Sequence, residues 1–221
     1  MLVAAAFVPA APLLLPALGG GPAELRSACR QAVGVLGGVD RVVVLGAGRP
    51  GGWCTGSIDA TGWGAPGEAT ADPLPLPLAV GSSLLGNRPH ELLAVPGPAE
   101  PLDRQRRTGV LVVADGTAKR TEKAPGHFDP RAEGFDQAVE SAVRQGDPAA
   151  LAALDEALAG QLLVGGLAAW RACAELAERE VVPGGGAPHG WVGEVSYAAA
   201  PFGVGYLVAT WLPRAADLRP A

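Results

Sequence analysis

Between Gly109 and Asp136 the chain reads GVLVVADGTAKRTEKAPGHFDPRAEGFD, and this stretch gathers the side chains best suited to chemistry. Asp115 can exchange a proton or orient a ligand, and Thr117 offers a hydroxyl donor. Lys119, Arg120 and Lys123 make a cationic cluster able to hold an anion, set against a formal net charge of −5. Both lysines of the chain fall here. Glu122 and His127 lie in the same segment, and Arg49 follows another strand end at Gly46-Ala47-Gly48. The competing reading is a solvated polar turn whose charges simply face water.

Several familiar chemistries fail on residue type. Asp115-Gly116-Thr117 after a strand is similar to the aspartyl-phosphate phosphatases, but the nucleophile's place two residues earlier is Val113. Gly46-Ala47-Gly48 lacks the third glycine and the helix of a dinucleotide fingerprint, since Pro50, Gly51 and Gly52 follow. No GxSxG elbow is present. The histidines, His90, His127 and His189, show no metal-ligand spacing and read as surface residues.

Alternating strands and helices must position these groups. Leu2–Val8, Arg41–Leu45 and Gly109–Ala114 are apolar runs expected as strands, two of them rich in β-branched residues. In a mainly parallel sheet their ends, at Pro9–Pro12, Gly46–Gly48 and Asp115–Thr117, open onto one edge, where α/β proteins place ligands. A helix is expected from about Pro22, with Leu25, Ala28, Cys29, Ala32, Val33 and Leu36 facing inward. Trp53–Asp72 reads as a long irregular excursion, and Leu74–Leu78 as an extended sheet-edge segment because of its prolines. A short helix near Ala79–Leu85 and a strand at Glu91–Val95 follow, then a polar connection over Pro96–Arg107. Amphipathic helix begins after Pro130, Asp147 caps a helix at Pro148, and a long helix is expected over Glu156–Glu180, interrupted at Gly165-Gly166. Trp191–Tyr197 and Val204–Trp211 read as paired strands beyond a Gly/Pro loop.

With 221 residues, 48% hydrophobic and 18% charged, the expectation is one α/β domain over residues 1–213 and a frayed tail at 214–221. The acidic balance and the lack of a basic stripe argue against nucleic acid. Met1–Ala23 is uncharged but broken by Pro9, Pro12 and Pro16, which suits a strand and loop better than a membrane segment. Cys29, Cys54 and Cys173 are scattered, as expected of a reducing cytoplasm.

Five blocks in order resemble a known family: FVPAAPLLLP, RVVVLGAG, the ADGTAKRTEKAPGHFDPRAEGFD segment, GDPAALAALDEALAGQLLVGGLAAW and GEVSYAAAPFGVGYLVATW. Together they are similar to an actinobacterial branch of the class III extradiol ring-cleavage dioxygenase family, related to protocatechuate-type enzymes and the Memo group. The resemblance implies that family's α/β fold, a sandwich with a central, mostly parallel sheet flanked by helices. It also implies an ancestral ferrous site of two histidines and a carboxylate, with a further histidine as acid/base. Here Ala10 stands at the first histidine's place, Gly46–Gly48 holds no imidazole, and Lys119 falls near the acid/base position. Glu194 is the counterpart of the carboxylate.

The expected protein is therefore a diverged homologue without ring-cleavage activity or a bound cofactor. Its strand-end pocket would bind a small ligand, anionic in one version, or a partner. Arg49, Thr117, Arg120 and Lys123 would contact the ligand, with Asp115 and Lys119 available for acid/base chemistry. The alternative is an active oxidoreductase whose Fe(II) site is rebuilt from Asp115, His127 or Glu194. A homo-oligomer, or assembly with a small second protein, is also consistent with the family.

Overall fold

Apolar β-branched runs dictate the centre of the molecule. In a computed structural model, describing residues 1–19, 21–48, 51–96, 105–179 and 190–214, seven strands form one sheet. They are β1 (Leu2–Val8), β2 (Arg41–Ala47), β3 (Gly52–Cys54), β4 (Glu91–Val95), β5 (Thr108–Val113), β6 (Trp191–Ala199) and β7 (Tyr206–Pro213). The order is β3-β4-β2-β5-β1-β7-β6. β4, β2, β5 and β1 are parallel, while β3 on one side and the β7–β6 pair on the other are antiparallel. The sheet is thus mixed, and only its central four strands match the expected parallel arrangement. Every residue of β5 is buried, because helices cover both faces.

One face carries α1 (Ala23–Gly34) and α2 (Leu76–Leu85); the other carries α3 (Ala132–Gln145), α4 (Pro148–Ala152), α5 (Glu156–Gln161) and α6 (Leu167–Arg179). This is a single-domain α/β sandwich. The inward face of α1 buries Leu25, Ala28, Cys29 and Ala32, with Leu36 just beyond, as the spacing predicts; Val33 is half-buried. Phe7 meets Trp211 edge-on at 5.1 Å, and Trp191 stacks on Trp211 at 6.1 Å, which fixes the last two strands against the α3 layer. None of the described helices is long and apolar enough to cross a membrane.

Three local expectations are corrected. The segment 74–78 is not a sheet edge: Pro75 is the N-cap of α2 and Pro77 lies in its first turn, where a missing N–H costs nothing. The excursion over 53–72 contributes to an edge strand, β3, and Asp59 organises the rest, accepting the N–H and hydroxyl groups of Thr61 and Thr70. The long helix after Glu156 is two helices, α5 and α6, separated by residues 162–166. Asp147 does cap α4, accepting the Ala150 N–H at 3.0 Å. Most of the 96–107 connection, the loop before Gly190 and the tail past Arg214 lie outside the described residues.

Close backbone approach locks β6 onto α3. A Cβ at Gly193 would overlap the Val143 carbonyl oxygen and come within 2.8 Å of that of Arg144. The Val143 carbonyl also accepts the Trp211 indole N–H at 2.6 Å, so it cannot give way freely. Gly193→Ala is expected to cost about 3 kcal/mol through overpacking, read as a lower urea midpoint at unchanged slope.

Candidate functional site

Parallel pairing of β1 with β5 brings residues 105 positions apart into contact. The register sets Val8 beside Val113, so the chain two residues further on each strand meets again. There the Ala10 N–H donates to Asp115 Oδ1 at 2.8 Å. Ala47 closes β2 on the other side of β5, where Gly46 pairs with Val113. Ala10, Ala47 and Asp115 therefore share the carboxyl edge of the sheet, as the sequence predicts for these three strand ends.

Dense packing surrounds Asp115, although part of its own surface still reaches solvent. The α5–α6 linker crosses it at Gly165 and Gly166. A Cβ at Gly166 would come within 2.7 Å of the Asp115 carbonyl and 2.6 Å of Ala114 Cβ, so only glycine passes. Desolvation by these neighbours pushes the Asp115 carboxyl up from 3.8 to about 7, against the smaller opposing effect of the Ala10 N–H. Tyr206, at the start of β7, is pushed up to about 12, first by its own burial and then by the charge of Asp115. Its phenol stays protonated. Among the described residues Asp115 Oδ2 has no hydrogen-bond partner. A cavity of about 440 Å³ opens at this edge, lined by Val95, Pro96, Gly165, Leu167 and Arg171 among others. The Arg171 guanidinium donates to Glu156 at 2.7 Å and to the Leu154 carbonyl at 2.8 Å, while its buried Nε–H lacks a partner among the described residues.

The rest of the charged loop is clamped rather than gathered around Asp115. Asp136, on α3, accepts the Thr117 N–H at 2.8 Å, the Thr117 hydroxyl at 2.9 Å and Arg120 Nη1 at 3.0 Å. Arg120 Nη2 reaches Glu133 at 3.3 Å. Thr117 is fully buried, and the loop backbone is stitched to the β6–β7 turn by Gly116 N–H to Gly205 O, Gly205 N–H to Thr117 O and Arg120 N–H to Gly203 O. A Cβ on Gly116 or Gly205 would strike the Asp136 carboxylate, which explains why glycine flanks this clamp on both sides.

The remaining sequence candidates are dispersed. Lys119 lies along Gly126, where an added Cβ would sit 2.7 Å from its Cγ, and its charge helps hold the Asp129 carboxyl down at about 2, behind the larger effect of Arg131. Lys123 is exposed, as is His127, whose Nδ1 lies 2.9 Å from the Glu122 carbonyl. Glu194 is exposed midway along β6, opposite Thr210, well away from the strand ends. Arg49 and His189 lie outside the described residues.

Residue chemistry alone does not single out Asp136, Tyr206 or the pair Gly165-Gly166. Asp136 carries a faint signal: it lies three residues after Glu133, so both acids share a face of α3 and can meet one arginine. Among the described residues no three His, Cys, Asp or Glu side chains come together as a metal site would need. A facial triad does not fit the donors at this edge, where Ala10 and Ala47 have no ligating atoms in their side chains. No family model matches the chain, and no curated protein does either.

Proposed function

We propose that this protein is a diverged relative of the class III extradiol dioxygenases in which the strand-end edge binds a small polar molecule instead of ferrous iron. One observation carries the reading. Asp115 stands at the centre of the carboxyl edge with Oδ1 held by the Ala10 N–H and Oδ2 without a partner among the described residues. Open α/β sheets bind ligands at this position, and the 440 Å³ cavity suits a small metabolite.

The surroundings favour a ligand that carries oxygen. A carboxyl titrating near neutrality donates a hydrogen bond to a carbonyl or hydroxyl when protonated and accepts one when ionised. Arg171 Nε–H supplies a second donor at the same cavity, suited to a carboxylate or carbonyl oxygen. Thr117 and Arg120 act in this reading as the frame of the loop, and the anion is met by Arg171 in place of the Lys119–Lys123 cluster. The raised carboxyl also favours a second reading, metal-free proton transfer at a bound carbonyl compound with Asp115 as acid/base.

The test pairs metal analysis with ligand screening. Protein purified with iron, zinc or manganese supplied is expected to carry well under one metal per chain. A thermal-shift screen of small hydroxy and keto acids is expected to find compounds that raise the melting temperature of the parent chain and have no effect on Asp115→Asn. Stoichiometric metal lost in Asp115→Asn would overturn the reading in favour of a rebuilt Fe(II) site. A parent protein indifferent to the whole panel would overturn the binding role.

A further inference from the structure

The opposite edge of the sheet holds a second arrangement with the geometry of a nucleophile and its base. His90 immediately precedes β4, at the amino end of the parallel strands, and Ser82 lies in the second turn of α2. His90 Nε2 is 2.9 Å from Ser82 Oγ, and His90 Nδ1 is 2.6 Å from the Arg88 carbonyl. A carbonyl oxygen only accepts, so in the neutral imidazole the proton belongs on Nδ1. Nε2 is then a lone-pair acceptor, and the Ser82 hydroxyl is the group that donates to it. Ser82 thereby has a base and the base has an orienting group, the relation that activates serine nucleophiles.

The orienting carbonyl is itself held. The Arg88 guanidinium donates to the Leu36 carbonyl at the end of the α1 layer, and the Arg88 N–H donates to Leu85 O at 3.2 Å. The imidazole cannot drift without breaking both anchors. Neither Ser82 nor His90 is fully buried, and both line a cavity of about 450 Å³ whose other walls include Trp53, Cys54, Leu74 and Leu92. An open cavity with an indole ring and two leucines beside a hydroxyl suits an apolar acyl or aryl group. Cys54, the other nucleophile present, is pushed up from its ordinary value mainly by burial and stays a thiol.

The geometry points to Ser82 and His90 as an acyl-transfer dyad acting on small aryl or alkyl esters, at a site separate from Asp115. Ser82 Oγ adds to the ester carbonyl while its proton passes to His90 Nε2. The imidazolium then gives that proton to the departing phenoxide or alkoxide, leaving Ser82 acylated. Water adds to the acyl group with Nε2 taking its proton, and the proton returns to Ser82 Oγ as the acid leaves. The sum is ester plus water to acid plus alcohol, with no change of oxidation state. A local pattern search misses the pair because Ser82 sits inside a helix and not on a GxSxG elbow.

A fluorophosphonate reagent and p-nitrophenyl acetate test the assignment on the whole chain. Mass spectrometry of the labelled, folded parent is expected to find one phosphonate, on Ser82. Ser82→Ala should abolish the label, and Ser82→Ala and His90→Gln should each lower p-nitrophenyl acetate turnover at least about 100-fold, with circular dichroism unchanged. Cys54→Ala should leave label and turnover in place. A folded parent that is unlabelled, or labelled only elsewhere, overturns the dyad, as does turnover that survives Ser82→Ala. The parent's label does not depend on any variant folding. Because Asp115 is not involved, Asp115→Asn serves as an independent control expected to keep full reactivity.

Discussion

At pH 8, Asp115→Asn is expected to make the protein more stable, and at pH 4 the two proteins are expected to unfold almost together. Desolvation raises this carboxyl from 3.8 to about 7. Below about pH 4 the group is protonated in both the folded and unfolded chain, so its favourable contribution is complete. Between there and about pH 7 the folded state keeps a proton that the unfolded state has lost, and stability falls as pH rises. Above that range both states are ionised and the full cost of the buried charge is felt. A displacement of this size corresponds to at most about 4 kcal/mol. Asparagine keeps an acceptor for the Ala10 N–H and cannot ionise, so it removes the slope. Urea unfolding at pH 4, 6 and 8 provides the measurement. Parallel pH profiles for the two proteins would mean that Asp115 is well solvated in the folded state, which would weaken its assignment as the centre of the edge.

Asp136→Ala is the other large effect, in the opposite direction. One carboxylate receives the N–H and hydroxyl of a fully buried threonine and the guanidinium of Arg120. Removing it leaves two buried donors unpaired and Arg120 with only its longer contact to the exposed Glu133. Losses of this kind sum to about 3 kcal/mol, and more if the arginine stays dehydrated. The loop from Gly116 to Arg131 should become the first site of proteolytic cleavage, since its backbone is tied to α3 through this residue. Asp136→Asn keeps one acceptor oxygen and should fall between alanine and the parent. A denaturation curve for Asp136→Ala that overlays the parent would show that the clamp holds without its carboxylate.

These two acids lie in the same stretch between Gly109 and Asp136, yet they act differently. Asp115 is isolated at the edge with an oxygen to offer, whereas Asp136 is saturated by its own loop. Type and spacing alone do not separate them. Lys119, Arg120 and Lys123 make the same point: close in sequence, they diverge in space toward Asp129, toward α3 and toward solvent.

Legibility tracks how local the determining interaction is. The strands Leu2–Val8 and Glu91–Val95 match their expected bounds because apolar runs with turn residues at their ends need no partner to be recognised. The Asp147 cap is equally local. The start of α2 is not legible, because proline breaks helix interiors but suits first turns, and which applies depends on where the helix docks. Gly46 decides that here, since an added Cβ would sit 2.6 Å from Pro77. The glycines after β2 thus admit a helix against the sheet, a packing role that a phosphate-loop pattern imitates.

By itself the sequence determined the α/β class, the central strands and the edge at which Asp115 emerges, because hydrophobic periodicity is written residue by residue. Only the tertiary structure decided which groups meet there. Parallel pairing of β1 with β5 joins Ala10 to Asp115 across 105 residues, helix docking assigns Thr117 and Arg120 to Asp136, and anchoring of Arg88 turns His90 toward Ser82. Each depends on register and crossover between distant elements, and a linear pattern does not encode which side chain a neighbouring strand or helix will present.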